Sequence, residues 1–464
     1  MRVVPIPYAD PAALFEVFAA DPVAALLHSC ANDGPRGRYS YIAADPFRLI
    51  RTEADAVHVD GQPVAGDPFT VLERELAACP PPQGDCPVPF RTGAIGFLGY
   101  DLGGHLERLP APRPDLLAQP TMVMGLYDCV IAFDHQERAA WIVSSGAPEI
   151  DHGARTHRAA RRADHFLHRL WSAPARAPAV DWREAGTWKA DLNRAAFEAR
   201  IARVIAYIRA GDIFQANLTQ RFRASLPKGL DDSGLYARLR ALSAAPFAAR
   251  LNCGPDLCIL SASPERFLRL SPDGRVETRP IKGTRPRARD PKRDAALADA
   301  LRASEKDRAE NLMIVDLMRN DLGRVACLGS VRVPVLNGLE TFTSVHHLVS
   351  VVEAWLRPGL GPIDLLRATF PGGSITGAPK IRAMQIIHEL EPAPRGVYCG
   401  SIAWIGFDGA MDSSIVIRTL TRVGDRVIAQ AGGGIVADSD PADEYEESMI
   451  KLDPLLRAVD PSWA

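Results

Sequence analysis

The sequence has no long apolar run, almost no net charge and no repeated or low-complexity segment. None of its 464 residues belongs to a run of the roughly 18 apolar residues that a membrane-spanning helix needs, and the N-terminus lacks the apolar core of a secretory signal. Lysine and arginine (54) nearly balance aspartate and glutamate (56), which leaves no excess positive charge for nucleic acid or an anionic membrane. These absences predict a cytoplasmic protein with no nucleic-acid or membrane partner.

The eight cysteines also lack an organising pattern. None belongs to a Cys-x-x-Cys pair, and the nearest two, Cys253 and Cys258, have no matching cluster of histidine or cysteine to complete a zinc site. Scattered cysteines in a chain of this length are typical of a reducing compartment.

Strands and helices follow one another in irregular order, which predicts an α+β fold. Apolar and β-branched segments indicate strands at 39–43, 92–100, 121–131, 257–261 and 266–270. Helical patterns occur at 153–171, at 195–210 before Gly211, and within 298–322 before Gly323. A proline- and alanine-rich linker follows Trp171. The regions we distinguish are 1–150 (N-terminal), 151–185 (helix and linker) and 186–458 (catalytic).

One lysine, Lys282, lies between Arg279 and Arg285 in a segment whose prolines and glycine predict a turn. Like charge disfavours the ammonium form, so the arginines would make a neutral, nucleophilic amine easier to reach. A solvated basic loop explains the same pattern, because lysine is normally exposed.

Two predicted helices each carry a pair of carboxylates three residues apart, which puts each pair on one helix face. The pairs are Asp307 with Glu310 and Glu444 with Glu447. Facing carboxylates on two helices form an oxygen cage suited to Mg²⁺. Helix caps, and an ion pair between Glu447 and Lys451, explain the same residues without a metal.

Two glycine-rich segments are suited to bound anions. Residues 371–380 lead into a predicted helix beginning near Pro379, where free backbone N–H groups would face a carboxylate. Residues 431–436 follow a predicted strand and would let a ligand approach the backbone closely. Neither matches a Walker loop or the dinucleotide-binding fingerprint, and ordinary turns are the alternative.

In this order, the segments resemble those of the chorismate-utilising enzymes, the family of anthranilate synthase component I, isochorismate synthase and aminodeoxychorismate synthase component I. The resemblance covers nearly the whole chain. It implies a fold of two packed antiparallel β-sheets flanked by helices, with chorismate as the substrate. Besides the Lys282 segment, the matching segments are 211–221, 263–267, 307–323, 347–350, 371–380, 431–439 and 444–451.

Within this family, Pro-Ile-Lys-Gly-Thr around Lys282 is typical of aminodeoxychorismate synthases, whereas anthranilate synthases typically carry alanine in place of the lysine. The resemblance implies that Lys282 attacks C2 of chorismate while the C4 hydroxyl leaves, and that ammonia then adds at C4 and expels the lysine. The product, 4-amino-4-deoxychorismate, serves 4-aminobenzoate and folate biosynthesis. Glu265 would be the general acid that protonates the departing hydroxyl.

The resemblance also implies the remaining site residues. Mg²⁺ would contact Glu310 and Glu447, with Asp307 and Glu444 in support. Gln215 stands where water-adding relatives carry a lysine base, which argues against isochorismate chemistry. The residues expected to bind the substrate are Gln215, Thr284, His347, Ser374, Thr376, Gly377, Tyr398, Arg418, Gly432, Gly433, Gly434 and Lys451.

The chain lacks a Gly-x-Cys-x-Gly segment around a nucleophilic cysteine. We therefore expect a separate glutamine amidotransferase subunit to deliver the ammonia. The alternatives are anthranilate synthase component I and a non-catalytic chorismate-binding paralogue. Where anthranilate synthases show Leu-Leu-Glu-Ser as part of a tryptophan site, this chain has His28, so tryptophan is not expected near Ser29 and Tyr41.

Overall fold

The computed structural model describes residues 1–30, 37–53, 56–111, 113–114, 117–172, 187–342 and 345–463. The predicted linker after Trp171 falls mostly outside these residues. The helices are α1 (Pro11–Phe15), α2 (Pro68–Ala77), α3 (His152–Ser172), α4 (Arg194–Arg209), α5 (Asp232–Leu242), α6 (Pro291–Ala303), α7 (Glu305–Gly323), α8 (Pro362–Thr369), α9 (Lys380–Leu390) and α10 (Pro441–Val459). In the described part of the chain, no helix is both long and apolar enough to cross a bilayer.

The strands begin with β1 (Arg2–Ile6), β2 (Val23–His28), β3 (Tyr39–Ala44), β4 (Arg48–Glu53), β5 (Ala56–Val59), β6 (Gln62–Val64), β7 (Gly93–Leu98), β8 (Met122–Tyr127), β9 (Cys129–Asp134), β10 (Ala139–Ser144), β11 (Lys189–Ala190) and β12 (Gln215–Ser225). They continue with β13 (Phe247–Cys253), β14 (Leu257–Ser263), β15 (Arg266–Leu270), β16 (Arg275–Thr278), β17 (Ile281–Pro286), β18 (Arg332–Thr341), β19 (Val345–Trp355), β20 (Gly377–Ala378), β21 (Ser401–Gly406), β22 (Met411–Ile415), β23 (Thr419–Val423) and β24 (Arg426–Ile435).

These strands form two sheets, and neighbouring strands are antiparallel throughout the described residues. The first sheet has the order β1-β10-β9-β3-β2-β13-β14-β23-β24-β12-β11, with β20 also on β12. The second has the order β17-β19-β16-β15-β22-β21-β7-β8-β4-β5-β6, with β18 also on β19. The predicted α+β fold of two antiparallel sheets is confirmed.

The sheets pack face to face, and helices cover their outer faces. On β14, Leu257 and Ile259 point into the core between the sheets, whereas Cys258 and Leu260 pack towards the helices of the first sheet. A strand buried on both faces reads as a continuous apolar run, because successive side chains point to opposite faces. A third core lies between the second sheet and helices that include α7 and α8.

Strands from the beginning of the chain lie beside strands from much later in both sheets. In the first sheet β2 pairs with β13, and in the second β7 pairs with β21. Residues 1–150 and 186–458 therefore contribute to the same two sheets.

Two of the predicted elements have different boundaries in the structure. The strand predicted at 121–131 is two strands, because the chain passes from one sheet to the other at Asp128, whose buried carboxylate accepts hydrogen bonds from Arg158 and Arg162. The helical pattern at 298–322 is divided between α6 and α7 at Ser304, whose hydroxyl caps α7 by accepting from the N–H of Asp307.

Candidate active site

Lys282 lies on an edge strand and not in the turn that the sequence predicted. Strand β17 pairs with β19, opposite Leu348, and the register shifts between Lys282 and Thr284 at Gly283, whose φ is +77°. Prolines are tolerated on an edge strand, so the neighbouring prolines did not prevent pairing. A Cβ on Gly283 would lie 2.9 Å from Cγ of Asp307, which shows that α7 packs directly against this strand.

The arginines that flank Lys282 are not free positive charges. Arg279 donates to Glu340 at 2.5 Å, and Arg285 donates to Asp307 at 3.1 Å. Each of the two guanidinium groups is thus paired with a carboxylate, and their expected effect on Lys282 stays a prediction. The other charged groups that interact with Lys282 are the carboxyl groups of Glu265, Glu310 and Glu447 and the ammonium group of Lys451.

Glu265 lies in the link between β14 and β15 and is 6% exposed. Burial raises the pKa of Glu265 to about 7, although a hydrogen bond from Ser374, the charge of Lys282 and the N–H of Ile281 oppose the rise. A carboxyl with such a pKa holds a proton at near-neutral pH and can release it. The position and the pKa suit a general acid beside the lysine.

The glycines at 432–434 are part of strand β24 and not of a turn, because β24 continues its pairing with β12 through them. A Cβ on Gly434 would lie 2.3 Å from Nε2 of Gln215 and 3.1 Å from Nζ of Lys282. A Cβ on Gly433 would lie 3.0 Å from a carboxylate oxygen of Glu444. Glycine is required here so that side chains from other elements can approach the strand.

The amide of Gln215 is completely buried, and neither its nitrogen nor its oxygen has a hydrogen-bond partner in the described structure. Buried polar atoms are normally paired, because an unpaired one costs free energy. Since this amide stands beside Lys282 and Gly434, its unsatisfied donor and acceptor suit a polar ligand.

The predicted carboxylate cage contains a cation that sequence analysis missed. Lys306 Nζ lies 3.3 Å from Glu444, and it interacts electrostatically with Glu310 and Glu447. The pKa of Lys306 is raised by these carboxylates against the effect of burial. Lys306 and Glu310 are separated by four positions on α7, so the helical period could have revealed this residue.

The four carboxylates of the cage are in different environments. Burial raises the pKa of Glu310; Lys282 and Lys306 oppose this rise, whereas Glu444 and Asp307 add to it. For Glu447, burial is outweighed by Lys451, Lys282 and Lys306, so the pKa is lowered. Glu444 accepts from the hydroxyl of Ser439 at 2.7 Å.

No three histidine, cysteine, aspartate or glutamate side chains among the described residues are close enough together to hold a metal ion by themselves. Mg²⁺ usually keeps several waters and binds through one or two carboxylates and a substrate anion. Glu310 and Glu447 supply oxygen donors of this kind. The repulsion that Glu444 and Asp307 exert on Glu310 is one that a divalent cation would relieve, so the donor set fits magnesium.

Two cationic residues that are expected to bind the substrate, Arg418 and Lys451, form a connected group. Lys451 donates to the carbonyl of Gly432 at 2.8 Å and pairs with Glu447 at 2.6 Å. Arg418 donates to the carbonyl of Lys451 at 2.8 Å and interacts with Tyr398. Burial lowers the pKa of both cations, because it disfavours their charged forms. A bound anion would stabilise those charged forms.

The remaining predicted substrate residues lie around this centre, although several of their side chains bond within the protein. Thr284 and His347 face each other on β17 and β19, with 2.9 Å between Oγ1 and Nδ1. Thr376 donates to the carbonyl of Gly372 at 3.0 Å, so its hydroxyl holds the turn that carries Ser374. A Cβ on Gly377 would lie 2.2 Å from the carbonyl oxygen of Gln215.

A separate cavity of about 110 Å³ lies between the two sheets, and its lining includes Ser29 and Tyr41 but neither Lys282 nor the cage. His28, which also lines it, is neutral because burial and Arg240 lower its pKa to about 3. The expectation that tryptophan does not bind here stays a prediction.

The sequence pattern of one family, the chorismate binding enzymes, matches residues 27–457. This chain belongs to that family. It is 43% identical over 445 residues to aminodeoxychorismate synthase component 1 of Salmonella typhimurium, covering 95% of this chain and 93% of the relative. It is 40% identical over 458 residues to anthranilate synthase component 1 of Streptomyces coelicolor, covering 96% and 86%.

The fold also matches a solved structure from the same family. The crystal structure of anthranilate synthase component I from Streptococcus pneumoniae superposes with a TM-score of 0.80 at 33% identity, covering 90% of this chain and 92% of that one. The family resemblance and the fold that it implied are therefore confirmed.

Proposed function

We propose that this chorismate-binding enzyme is the aminating subunit of an aminodeoxychorismate synthase, which converts chorismate and ammonia to 4-amino-4-deoxychorismate. The observation that carries the proposal is the placement of Lys282 beside the buried carboxyl of Glu265 and the unpaired amide of Gln215. Relatives named aminodeoxychorismate synthase component 1 support it.

In the proposed reaction, Nζ of Lys282 forms a bond to C2 of chorismate, both conjugated ring double bonds shift, and the C4–O bond breaks. Glu265 gives its proton to the leaving hydroxyl, which departs as water, and the lysine nitrogen releases a proton. Ammonia then bonds to C4 and passes a proton to the lysine nitrogen, both double bonds shift back, and the C2–N bond breaks to restore Lys282. Two allylic displacements replace one difficult substitution.

Mg²⁺ would be held by Glu310 and Glu447, with Asp307 and Glu444 in support. When bound, it would neutralise a substrate carboxylate and polarise the leaving oxygen. The residues of the chain would orient the ring: Arg418 and Lys451 would face its carboxylates, and the buried Gln215 amide would bind a polar group of the substrate.

The ammonia would come from a separate glutamine amidotransferase subunit, because the relatives are named as one component of a synthase. The product would serve 4-aminobenzoate and folate biosynthesis in the cytoplasm.

A product assay tests the proposed function. The chain is incubated with chorismate, Mg²⁺ and ammonium salt, with and without an added aminodeoxychorismate lyase. We expect 4-aminobenzoate only when the lyase is present. Direct appearance of anthranilate and pyruvate would instead identify an anthranilate synthase, and the absence of any product would identify a non-catalytic paralogue.

Lys282→Ala tests the covalent route. We expect a large loss of amination, with a residual rate from direct attack by ammonia, and the loss of a chorismate-derived adduct on residue 282 in mass spectra of the quenched enzyme. The control is Lys292→Ala, because Lys292 is an exposed lysine on α6. Full activity in Lys282→Ala would contradict the route.

Glu310→Gln and Glu447→Gln test the assignment of magnesium. We expect each variant to need a higher Mg²⁺ concentration for half-maximal activity and to bind Mg²⁺ more weakly in calorimetry. Glu446→Gln is the matched control, because Glu446 is an exposed carboxylate on the same helix as Glu447 and pairs with Arg194. An unchanged Mg²⁺ dependence in both test variants would show that the ion binds elsewhere.

A further inference from the structure

Arg395 is 2% exposed and lies beneath the active site, in the segment that joins α9 to Tyr398. Its guanidinium group donates to both carboxylate oxygens of Glu391, at 2.9 Å and 2.7 Å. The guanidinium carbon also lies 4.5 Å from the centre of the Tyr100 ring. A buried guanidinium group that is both paired with a carboxylate and stacked on an aromatic ring is held in one orientation.

The same guanidinium group holds two backbone carbonyls that belong to different walls of the site. It donates to the carbonyl of Ile375 at 2.8 Å and to that of Asn217 at 2.6 Å. Ile375 follows Ser374, whose side chain bonds to Glu265. Asn217 is on β12, two residues after Gln215.

The partner of Arg395 extends this contact along β12. Glu391 accepts from the N–H of Thr219 at 2.9 Å and from its hydroxyl at 2.8 Å. Asn217 and Thr219 are the residues of β12 that pair with Gly434 and Gly432. The ion pair therefore holds β12 where it faces the glycines of the active site.

Stability alone does not require such an ion pair. Desolvation of two buried charges offsets much of their attraction, and apolar replacements of similar volume are often equally stable. A planar fork of N–H groups supplies something else, since it fixes two acceptors at a set distance and angle, which a lysine cannot do.

We propose that Arg395 is a positioning residue, whose guanidinium group fixes the turn that carries Ser374 relative to the strand that carries Gln215. It thereby fixes the position of Glu265 relative to the Gln215 amide. The inference rests on the proposed function for its kinetic consequence, whereas its structural consequence can be measured without substrate turnover.

Arg395→Lys tests the inference, because it keeps the charge and removes the fork. We expect kcat for ammonia-dependent amination to fall on the order of 10- to 100-fold, as for a small misplacement of reacting groups, with a smaller change in KM for chorismate. We also expect faster amide hydrogen exchange at 215–219 and 372–378, where the two carbonyl contacts are lost.

The matched control is Arg422→Lys. Arg422 makes a comparable two-bond pair with Asp232, at 2.6 Å and 2.9 Å, between β23 and α5 and outside the predicted site. We expect it to leave kcat and the exchange of 215–219 and 372–378 unchanged. An equal fall of kcat in both variants would show a general structural effect and overturn the inference.

A double variant, Arg395→Met with Glu391→Gln, covers the case in which Arg395→Lys does not fold, because it leaves no buried charge unpaired. We expect a folded protein with reduced kcat and fast exchange at the two segments. Amide hydrogen exchange at the wild-type rate in both segments would overturn the inference, whether or not the variant aminates chorismate. Failure of the wild-type chain to aminate chorismate would overturn the proposed function alone.

Discussion

At the scale of single residues, the proposed reaction would need two neighbouring groups in their uncharged forms at the same moment. In that proposal, Lys282 would attack as an amine, and Glu265 would carry the proton that it gives away. Burial keeps Glu265 protonated, because it raises the pKa of this carboxyl group, which is enclosed by β14, β15 and the Ser374 turn, to about 7. Lys282 interacts with three carboxyl groups and with Lys451, so a bound anionic substrate and a bound cation would both change its electrostatic surroundings.

The protonation of Glu265 leads to a prediction about rate. Amination should decline as the pH rises through about 7, because the proton-donating form of Glu265 is lost. Glu265→Gln should lower kcat by about 100-fold or more and abolish this decline. Initial rates between pH 5.5 and 9, at a fixed concentration of free ammonia, provide the measurement. A decline that persists in Glu265→Gln belongs to another group.

The same group leads to a prediction about stability. Folding raises the pKa of Glu265 from 4.5 to about 7, so its contribution to stability is complete below pH 4.5 and is lost as the pH rises to 7. The change is about 3 kcal/mol at most. Denaturant unfolding of Glu265→Gln and of the wild type should therefore give free energies whose difference varies with pH over this window. A constant difference would contradict the raised pKa.

At the scale of elements, the site combines a glycine-rich strand with two helices that carry charged side chains. Strand β24 presents glycine where β12, β17 and α10 approach it, and α7 with α10 presents carboxylates and Lys306. The glycines are therefore not equivalent. A Cβ on Gly432 would lie 1.9 Å from a backbone oxygen, whereas one on Gly434 would meet the end of the Gln215 side chain.

Gly434→Ala should consequently affect activity more than stability. We expect the Gln215 amide to be displaced, kcat/KM for chorismate to fall on the order of 10- to 100-fold, and unfolding to become easier by about 1–3 kcal/mol. Gly323→Ala is the control, because nothing lies within 4 Å of a Cβ at that position. Steady-state kinetics and thermal unfolding separate the two effects, and parallel losses of activity and stability would contradict this account.

The elements also show which features the sequence could predict. The carboxylate pairs of α7 and α10 were predictable because helical spacing is local. Strand β17 and the glycine-rich end of β24 were not, because the prolines and glycine of the one and the glycines of the other resemble turns. Only the pairing with β19 and β12 makes them strands. Arg395 has no local signal, since its partners include Asn217 and Ile375, which come together only in the fold.

At the scale of the whole molecule, neither end of the chain completes a sheet without the other. We expect residues 1–150 and residues 187–464, produced separately, to show no cooperative unfolding, because each fragment exposes unpaired strand edges. The full chain should unfold in one transition by circular dichroism and by tryptophan fluorescence. Two resolved transitions in the full chain, or cooperative unfolding of one fragment, would show that the regions are independent.

The pairing of β7 with β21 has a further consequence during synthesis. Gly93 lies opposite Gly406, so about 310 residues must be added after β7 before its partner exists. At roughly 5–20 residues per second, this synthesis takes about 15–60 s, during which one edge of β7 has no strand to pair with. The nascent chain therefore exposes an unpaired edge of an apolar strand for most of its translation, and such edges are sites of aggregation.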